Sequence, residues 1–91
     1  MNDPTIREIR EEISKLDRSI VQAVNERIEL VARLKRYKLE NDLPFHDPER
    51  ERELLAELER LNAGPLTEEG LRELVTTVLE LTKVELDRND R

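Results

Sequence analysis

The sequence contains no cysteine and only one histidine. Disulfide bonds, thiolate chemistry and zinc sites built from Cys and His are therefore excluded as organising features. No apolar run approaches the roughly 20 residues of a membrane-spanning helix, and the amino-terminal residues lack the apolar segment of a signal peptide. We therefore expect a cytoplasmic protein that does not insert into membranes and uses no metal.

Glycine and proline are also scarce, with two and four residues respectively. Most of the remaining residues are Leu, Glu, Arg and other helix formers, a composition that predicts an all-α protein. A chain of 91 residues fits one small domain with little room for a core of its own, and such chains often share a core with a partner. The net charge of −6 disfavours nucleic-acid binding, because a nucleic-acid interface is normally basic.

A carboxylate followed by proline marks the start of the first predicted helix, at Asp3 and Pro4. No further proline occurs before Pro44, so this helix is expected to cover about residues 4–41. Its apolar residues recur every three or four positions from Ile6 onward, which is typical of one buried helix face. A helix of this length measures on the order of 50 Å, much more than the width of a compact chain of this size. It therefore cannot bury that face within one chain.

Two shorter helices are predicted from similar signals. A second Asp-Pro pair at Asp47 predicts a helix over about residues 48–62, which should end before an Asn-Ala-Gly-Pro segment. Thr67, followed by two glutamates, predicts a third helix over about residues 68–87. No internal repeat or low-complexity linker is visible, so residues 1–91 are interpreted as a single domain of three helices.

Several charged residues occupy positions that the apolar pattern assigns to buried faces. Continuing the spacing of the first helix places Arg27 and Lys38 on its apolar face. In the second helix the same reasoning places Asp47 and Glu51 near the centre of the buried sector and Arg50 at its edge. Each cation taken alone is more simply explained by an ion pair or by a side chain reaching for solvent. Together, three cations and two carboxylates leave an excess of positive charge, which a small polycarboxylate can neutralise through charge-assisted hydrogen bonds.

Three segments resemble the signature segments of the AroQ class of chorismate mutases in order and spacing. They read REEISKLD at 10–17, NERIELVARLKRYK at 25–38 and PFHDPERERELL at 44–55. The resemblance extends over about residues 6–86, and the carboxy-terminal part looks most like mutase domains that stand alone or are fused to DAHP synthase. It implies an intertwined, all-helical homodimer that rearranges chorismate to prephenate in aromatic amino-acid biosynthesis, with no cofactor. It also implies a possible fusion to or complex with DAHP synthase.

The resemblance assigns roles to individual residues. It implies that Arg27 and the Arg10 of the partner chain bind the two carboxylates of chorismate. Lys38 would contact a carboxylate and the ether oxygen, and Glu51 would accept a hydrogen bond from the ring hydroxyl. Because Arg10 and Arg27 lie about 25 Å apart along one helix, they cannot bind one small substrate from the same chain. Further substrate-binding positions implied by the resemblance are Asp47, Arg50, Thr82, Glu85 and Leu86.

The third helix departs from the family pattern at one position. In this helix the family has a Ser or Thr and, four residues later, a Gln or Glu that donates to the ether oxygen. The first of these positions falls on Thr82, which fits the pattern, and the second falls on Leu86, which does not. Leucine cannot donate, and the loss of one preorganised donor typically lowers a rate by about 10²–10³. The neighbouring Glu85 would have to be protonated to take that role. We therefore expect weak activity, or activity that depends on a partner.

Two alternatives to a chorismate mutase stay open at this point. One is a non-catalytic or partner-dependent regulatory domain associated with DAHP synthase, which Leu86 favours. The other is isochorismate-pyruvate lyase, a second enzyme on the same scaffold. The lyases lack the acidic residues matched here by Asp47 and Glu51, so the presence of both favours the mutase.

Overall fold

The computed structural model describes residues 3–89, and three α-helices account for most of them. Helix α1 covers Pro4–Glu40, α2 covers Pro48–Leu61 and α3 covers Glu68–Asn89. The predicted fold class, all-α with one very long helix, is confirmed. No helix in the described range is long and apolar enough to cross a membrane.

Short polar side chains begin each helix. The carboxylate of Asp3 accepts hydrogen bonds from the backbone N–H groups of Thr5 and Ile6, at 2.8 and 3.3 Å. Asp47 accepts from the N–H of Arg50 at 3.1 Å, and the hydroxyl of Thr67 accepts from the third residue of α3 at 3.0 Å. Each cap satisfies an N–H that has no partner within the helix, which is why the helices begin at these residues.

The turn after α1 directs the chain back against the last turn of that helix. Asp42 adopts a positive φ of 56°, a conformation that Asp tolerates better than most residues. The N–H of Leu43 then donates to the carbonyl of Lys38 at 2.8 Å. This reversal places the segment before α2, including Phe45, next to Lys38.

The core of the single chain lies along α3. This helix contacts both α1 and α2. The buried residues among those described all belong to it, and they are Leu71, Val75, Thr82 and Leu86. Neither α1 nor α2 contains a buried residue, so most of the apolar surface of those two helices is only partly covered.

The long helix leaves an apolar stripe uncovered. We call this set the α1 stripe; it consists of Ile9, Ile13, Leu16 and Ile20, each at least half exposed. The radius of gyration is 17.1 Å, against about 12 Å for a compact chain of this length. The accessible surface is 7883 Å², against about 5,500 Å² for a folded monomer of this mass. A contiguous exposed apolar stripe such as the α1 stripe marks an interaction surface.

Candidate active site

A cavity of about 350 Å³ lies where α1 and α3 meet the segment that leads into α2. Its size is at the lower end of the range for small-molecule sites. Apolar side chains from all three helices form part of its wall, and charged side chains form the rest. The residues that line it are Arg27, Val31, Leu34, Lys38, Phe45, His46, Asp47, Arg50, Glu51, Leu54, Leu79, Thr82, Lys83 and Leu86.

Arg27 is held in place by α3. Its guanidinium donates a hydrogen bond to the hydroxyl of Thr82 at 2.5 Å. The Thr82 hydroxyl in turn donates to the carbonyl of Val78 at 2.7 Å. Because its single hydrogen is used there, the hydroxyl oxygen is free to accept from Arg27. Arg27, although it lies on the apolar face of α1, therefore has a specific partner in Thr82. This hydrogen bond uses only part of the donor capacity of the guanidinium.

Lys38 lies at the end of the cavity near the turn after α1. Its ammonium donates to the carbonyl of Phe45 at 3.4 Å and lies 5.8 Å from the centre of the Phe45 ring. The ammonium of Lys35 lies at the same distance from that ring. Both distances are within the range of a cation–π interaction. Phe45 therefore holds Lys38 at the cavity while leaving most of its donor capacity available.

Asp47 and Arg50 form the part of the wall contributed by the start of α2. Asp47 uses one carboxylate oxygen to cap that helix. The guanidinium of Arg50 is largely exposed and lies 3.8 Å from the carboxylate of Glu53. An exposed pair of this kind contributes little to stability, so the Arg50 side chain can turn from Glu53 toward a ligand.

The side chain of Glu51 lies against α3 and is partly exposed to solvent. Its carboxylate lies 3.7 Å from the ammonium of Lys83, and both residues line the cavity. Sequence reasoning placed Glu51 on the buried side of α2 but missed Lys83. The helical period contains the signal, because Lys83 lies four residues after Leu79 and three before Leu86, on the face that those two leucines present to the cavity.

Other expected site residues lie in different places. Thr82 and Leu86 line the cavity, and both are buried. Glu85 is not among the lining residues, and its carboxylate accepts from the guanidinium of Arg88. Adjacent helical residues point about 100° apart, so Glu85 does not share the direction of Leu86. Arg10 is exposed on α1 and is not part of this cavity.

His46 is a second lining residue that sequence reasoning missed. Its position directly before the capping Asp47 is the signal that brings it to the cavity, since the cap fixes the chain at that point. In the described part of the chain, no group of three or more His, Asp or Glu residues is arranged to hold a metal ion.

The cavity has the opposite charge to the protein as a whole. It is lined by four cationic side chains and two carboxylates, namely Arg27, Lys38, Arg50, Lys83, Asp47 and Glu51. With His46 neutral this gives a local net charge of +2, whereas the whole chain carries −6. Positive charge concentrated in a partly enclosed cavity attracts small anions, and a dianion would balance it.

The chain is similar to several known proteins. A family model described as chorismate mutase type II matches residues 9–85. The chain therefore belongs to the type II chorismate mutase family. Two solved structures of chorismate mutase from Thermus thermophilus are similar to it. Form I has a TM-score of 0.81 at 35% identity and covers 86% of this chain and 98% of its own. Form II has a TM-score of 0.85 at 33% identity, and the match covers 96% of this chain and 99% of the Form II chain.

A curated relative adds information on domain context. The bifunctional chorismate mutase/prephenate dehydratase of Aquifex aeolicus (strain VF5) is 37% identical over 86% of this chain. The chain spans about a quarter of that relative's length, 24%. The second activity in its name is a prephenate dehydratase, whereas the resemblance described above led us to expect DAHP synthase.

Proposed function

We propose that this chain rearranges chorismate to prephenate, a step of phenylalanine and tyrosine biosynthesis. The single observation that carries the proposal is the cavity with a net charge of +2 in a protein of net charge −6. Chorismate is a dicarboxylate, so its two negative charges match the excess of positive charge. Membership of the chorismate mutase family supports the same substrate.

The proposed mechanism needs no nucleophile and no proton transfer. In this rearrangement the ether C–O bond of the enolpyruvyl group breaks as a new C–C bond forms to the ring. Catalysis then depends on holding the compact reactive conformer and on stabilising the negative charge that develops on the ether oxygen. A rigid cavity with donors placed before the substrate arrives supplies both.

In this proposal the cationic residues hold the substrate by its carboxylates. Arg27, fixed by Thr82, binds one carboxylate. Lys38, anchored beside Phe45, contacts a carboxylate and the ether oxygen. Glu51 accepts a hydrogen bond from the ring hydroxyl of chorismate. Asp47 and Arg50, which also line the cavity, make further contacts with the substrate.

We further propose that the functional unit is an intertwined homodimer in the cytoplasm. The uncovered α1 stripe and the excess of accessible surface support a second copy as the partner. The cavity is also only partly enclosed in the single chain, and Arg10 is not among the residues that line it. A second copy that covers the stripe would bring its own Arg10 to the cavity and complete the binding of both carboxylates.

A regulatory or partner-dependent domain is the second candidate. The observation that favours it is the buried Leu86 at the cavity wall, where the family pattern has a donor. The Aquifex relative supports association with an enzyme of the same pathway, in that case a prephenate dehydratase. An isochorismate-pyruvate lyase is less well supported, because Asp47 and Glu51 both line the cavity.

The test is the rate of chorismate loss and prephenate appearance with purified protein. We expect turnover, and we expect Arg27→Ala to lower it by about 10²-fold or more while the circular dichroism spectrum and oligomeric state are unchanged. Arg36→Ala, at an exposed arginine of the same helix, is the matched control and should be as active as the wild type. Background turnover by the wild type would contradict the proposal and favour the regulatory domain. An unfolded Arg27→Ala variant would show that Arg27 has a structural role.

A further inference from the structure

Lys83 lines the cavity but has no role in the mechanism proposed above. It follows Thr82, the residue that fixes Arg27, and precedes Leu86 by nearly one helical turn. Its ammonium is 3.7 Å from Glu51. A cation in this position is directed at the part of the cavity where α2 and α3 face each other.

The donors available on α3 are few. The residues of α3 that line the cavity are Leu79, Thr82, Lys83 and Leu86. The two leucines have no side-chain donor, and the single hydrogen of the Thr82 hydroxyl is already donated to Val78. Among these described residues, the ammonium of Lys83 is the group on α3 that can donate to a ligand.

The ion pair between Lys83 and Glu51 is easily exchanged for ligand contacts. The two side chains are 47% and 35% exposed, and pairs exposed to this degree contribute little to stability. A bound ligand with a hydroxyl and an acceptor oxygen can replace the pair on both sides. Glu51 would then accept from the hydroxyl while Lys83 donates to the acceptor oxygen.

We propose that Lys83 is a catalytic residue that donates a hydrogen bond to the breaking ether oxygen of the substrate, the contact that Leu86 cannot make. The inference rests on the proposed function. Lys83 transfers no proton: the C–O bond breaks, the C–C bond forms, and the ammonium stabilises the negative charge that builds up on the ether oxygen. The loss of the family's donor at position 86 is thereby compensated from the same helix.

The experiment compares Lys83→Met with Arg72→Met in steady-state kinetics. Arg72 is the matched control, because it forms a similar ion pair from α3 to α2, 3.6 Å from Glu59, and does not line the cavity. We expect Lys83→Met to lower kcat by about 10²–10³-fold, as for loss of one preorganised donor, with little change in KM. Arg72→Met should match the wild type. Equal kinetics of Lys83→Met and Arg72→Met would overturn the inference, and a rise in KM alone would overturn the assignment to the ether oxygen.

Two further variants separate a direct role from one exerted through Glu51. Lys83→Arg retains a cationic donor and should keep most of the activity. Adding Leu86→Gln to Lys83→Met supplies a donor at the family position, without replacing the partner of Glu51, and should recover part of kcat. Leu86→Gln should therefore raise kcat by a larger factor in Lys83→Met than in the wild type. If Lys83 acted only by holding Glu51, Leu86→Gln would raise kcat by the same factor in both backgrounds, and the inference would be wrong.

Chorismate binding, measured by isothermal titration calorimetry, distinguishes failure of this inference from failure of the proposed function. Suppose that the wild type bound chorismate without turning it over, and that Lys83→Met weakened the binding while Arg72→Met did not. The proposed function would then be wrong, but Lys83 would still be a ligand contact. If the wild type were inactive and bound chorismate no more tightly than Lys83→Met, both the proposed function and the role of Lys83 would be wrong. The absence of any chorismate binding would lead to the same conclusion.

Discussion

Arg27 and Thr82 are joined by a hydrogen bond of 2.5 Å, although they lie 55 residues apart in the sequence. The bond connects α1 to one of the buried residues of α3. Because the Thr82 hydroxyl donates its hydrogen to the carbonyl of Val78, the directions in which its oxygen accepts are fixed. Arg27 is thus oriented before any ligand arrives, which lowers the cost of fixing a flexible side chain on binding.

The first prediction tests this orientation with Thr82→Val, which removes the hydroxyl and keeps the shape. A hydrogen bond to a charged group contributes about 1.5–3 kcal/mol, so we expect kcat/KM for chorismate to fall about tenfold to a hundredfold. Thr82→Ser keeps the hydroxyl and should stay close to the wild type, and Thr77→Val at an exposed threonine of α3 should have no effect. If Thr82→Val kept full activity with Arg27 intact, orientation by Thr82 would be unimportant.

The second prediction concerns Leu86, which is 5% exposed. Leu86→Gln adds a donor at the cavity wall and should raise kcat. It should also lower the melting temperature, because burying an amide without full hydrogen bonding costs about 1–3 kcal/mol. Leu86→Met has no donor and similar volume, so it should leave kcat unchanged. An unchanged kcat in Leu86→Gln would show that position 86 is not directed at the ether oxygen.

Much of the fold could be predicted from the sequence because its signals are local. The Asp-Pro pairs at Asp3 and Asp47 fix helix starts through caps made within three residues, and the structure shows both caps. The periodic apolar residues of α1 define a face that the single chain does not cover. Both features follow from backbone hydrogen bonding and helical period, which need no information about distant parts of the chain.

The parts of the site that could not be predicted depend on contacts between distant segments. The partner of Arg27 is Thr82, and that of Glu51 is Lys83; nothing local to either residue points to the other. Sequence reasoning identified charges that interrupt the apolar faces of α1 and α2. Lys83 also lies on an apolar face, between Leu79 and Leu86, but its position next to Glu51 is seen only once α2 and α3 have been placed together.

The third prediction concerns the α1 stripe. Ile20 is 60% exposed in the single chain, so an isolated monomer would tolerate a charge there. If a second copy covers the stripe, Ile20→Glu buries a carboxylate at the interface, and dimers should dissociate or unfold. Gln22→Glu adds the same charge about 200° around the helix and is the matched control. Analytical ultracentrifugation and the concentration dependence of the melting temperature measure the effect. Dimers of normal stability in Ile20→Glu would show that the stripe is not the interface.

The last prediction concerns Arg10 and tests whether active sites are shared between chains. Arg10 and Arg27 lie about 25 Å apart along α1, so in one chain they cannot bind the same small substrate. Arg10→Ala and Arg27→Ala should each be nearly inactive, because every site in either homodimer lacks one arginine.

Mixing the two variants distinguishes a shared site from a site within one chain. After unfolding and refolding together in equal amounts, half of the dimers should contain one chain of each kind, and each mixed dimer should have one intact site and one doubly defective site. We therefore expect recovery of about a quarter of the wild-type rate from two nearly inactive proteins. If both arginines served a site within one chain, every chain would remain defective and no activity would return. Recovery would thus assign Arg10 to the cavity of the partner and would explain why a chain of this shape leaves its longest apolar face uncovered.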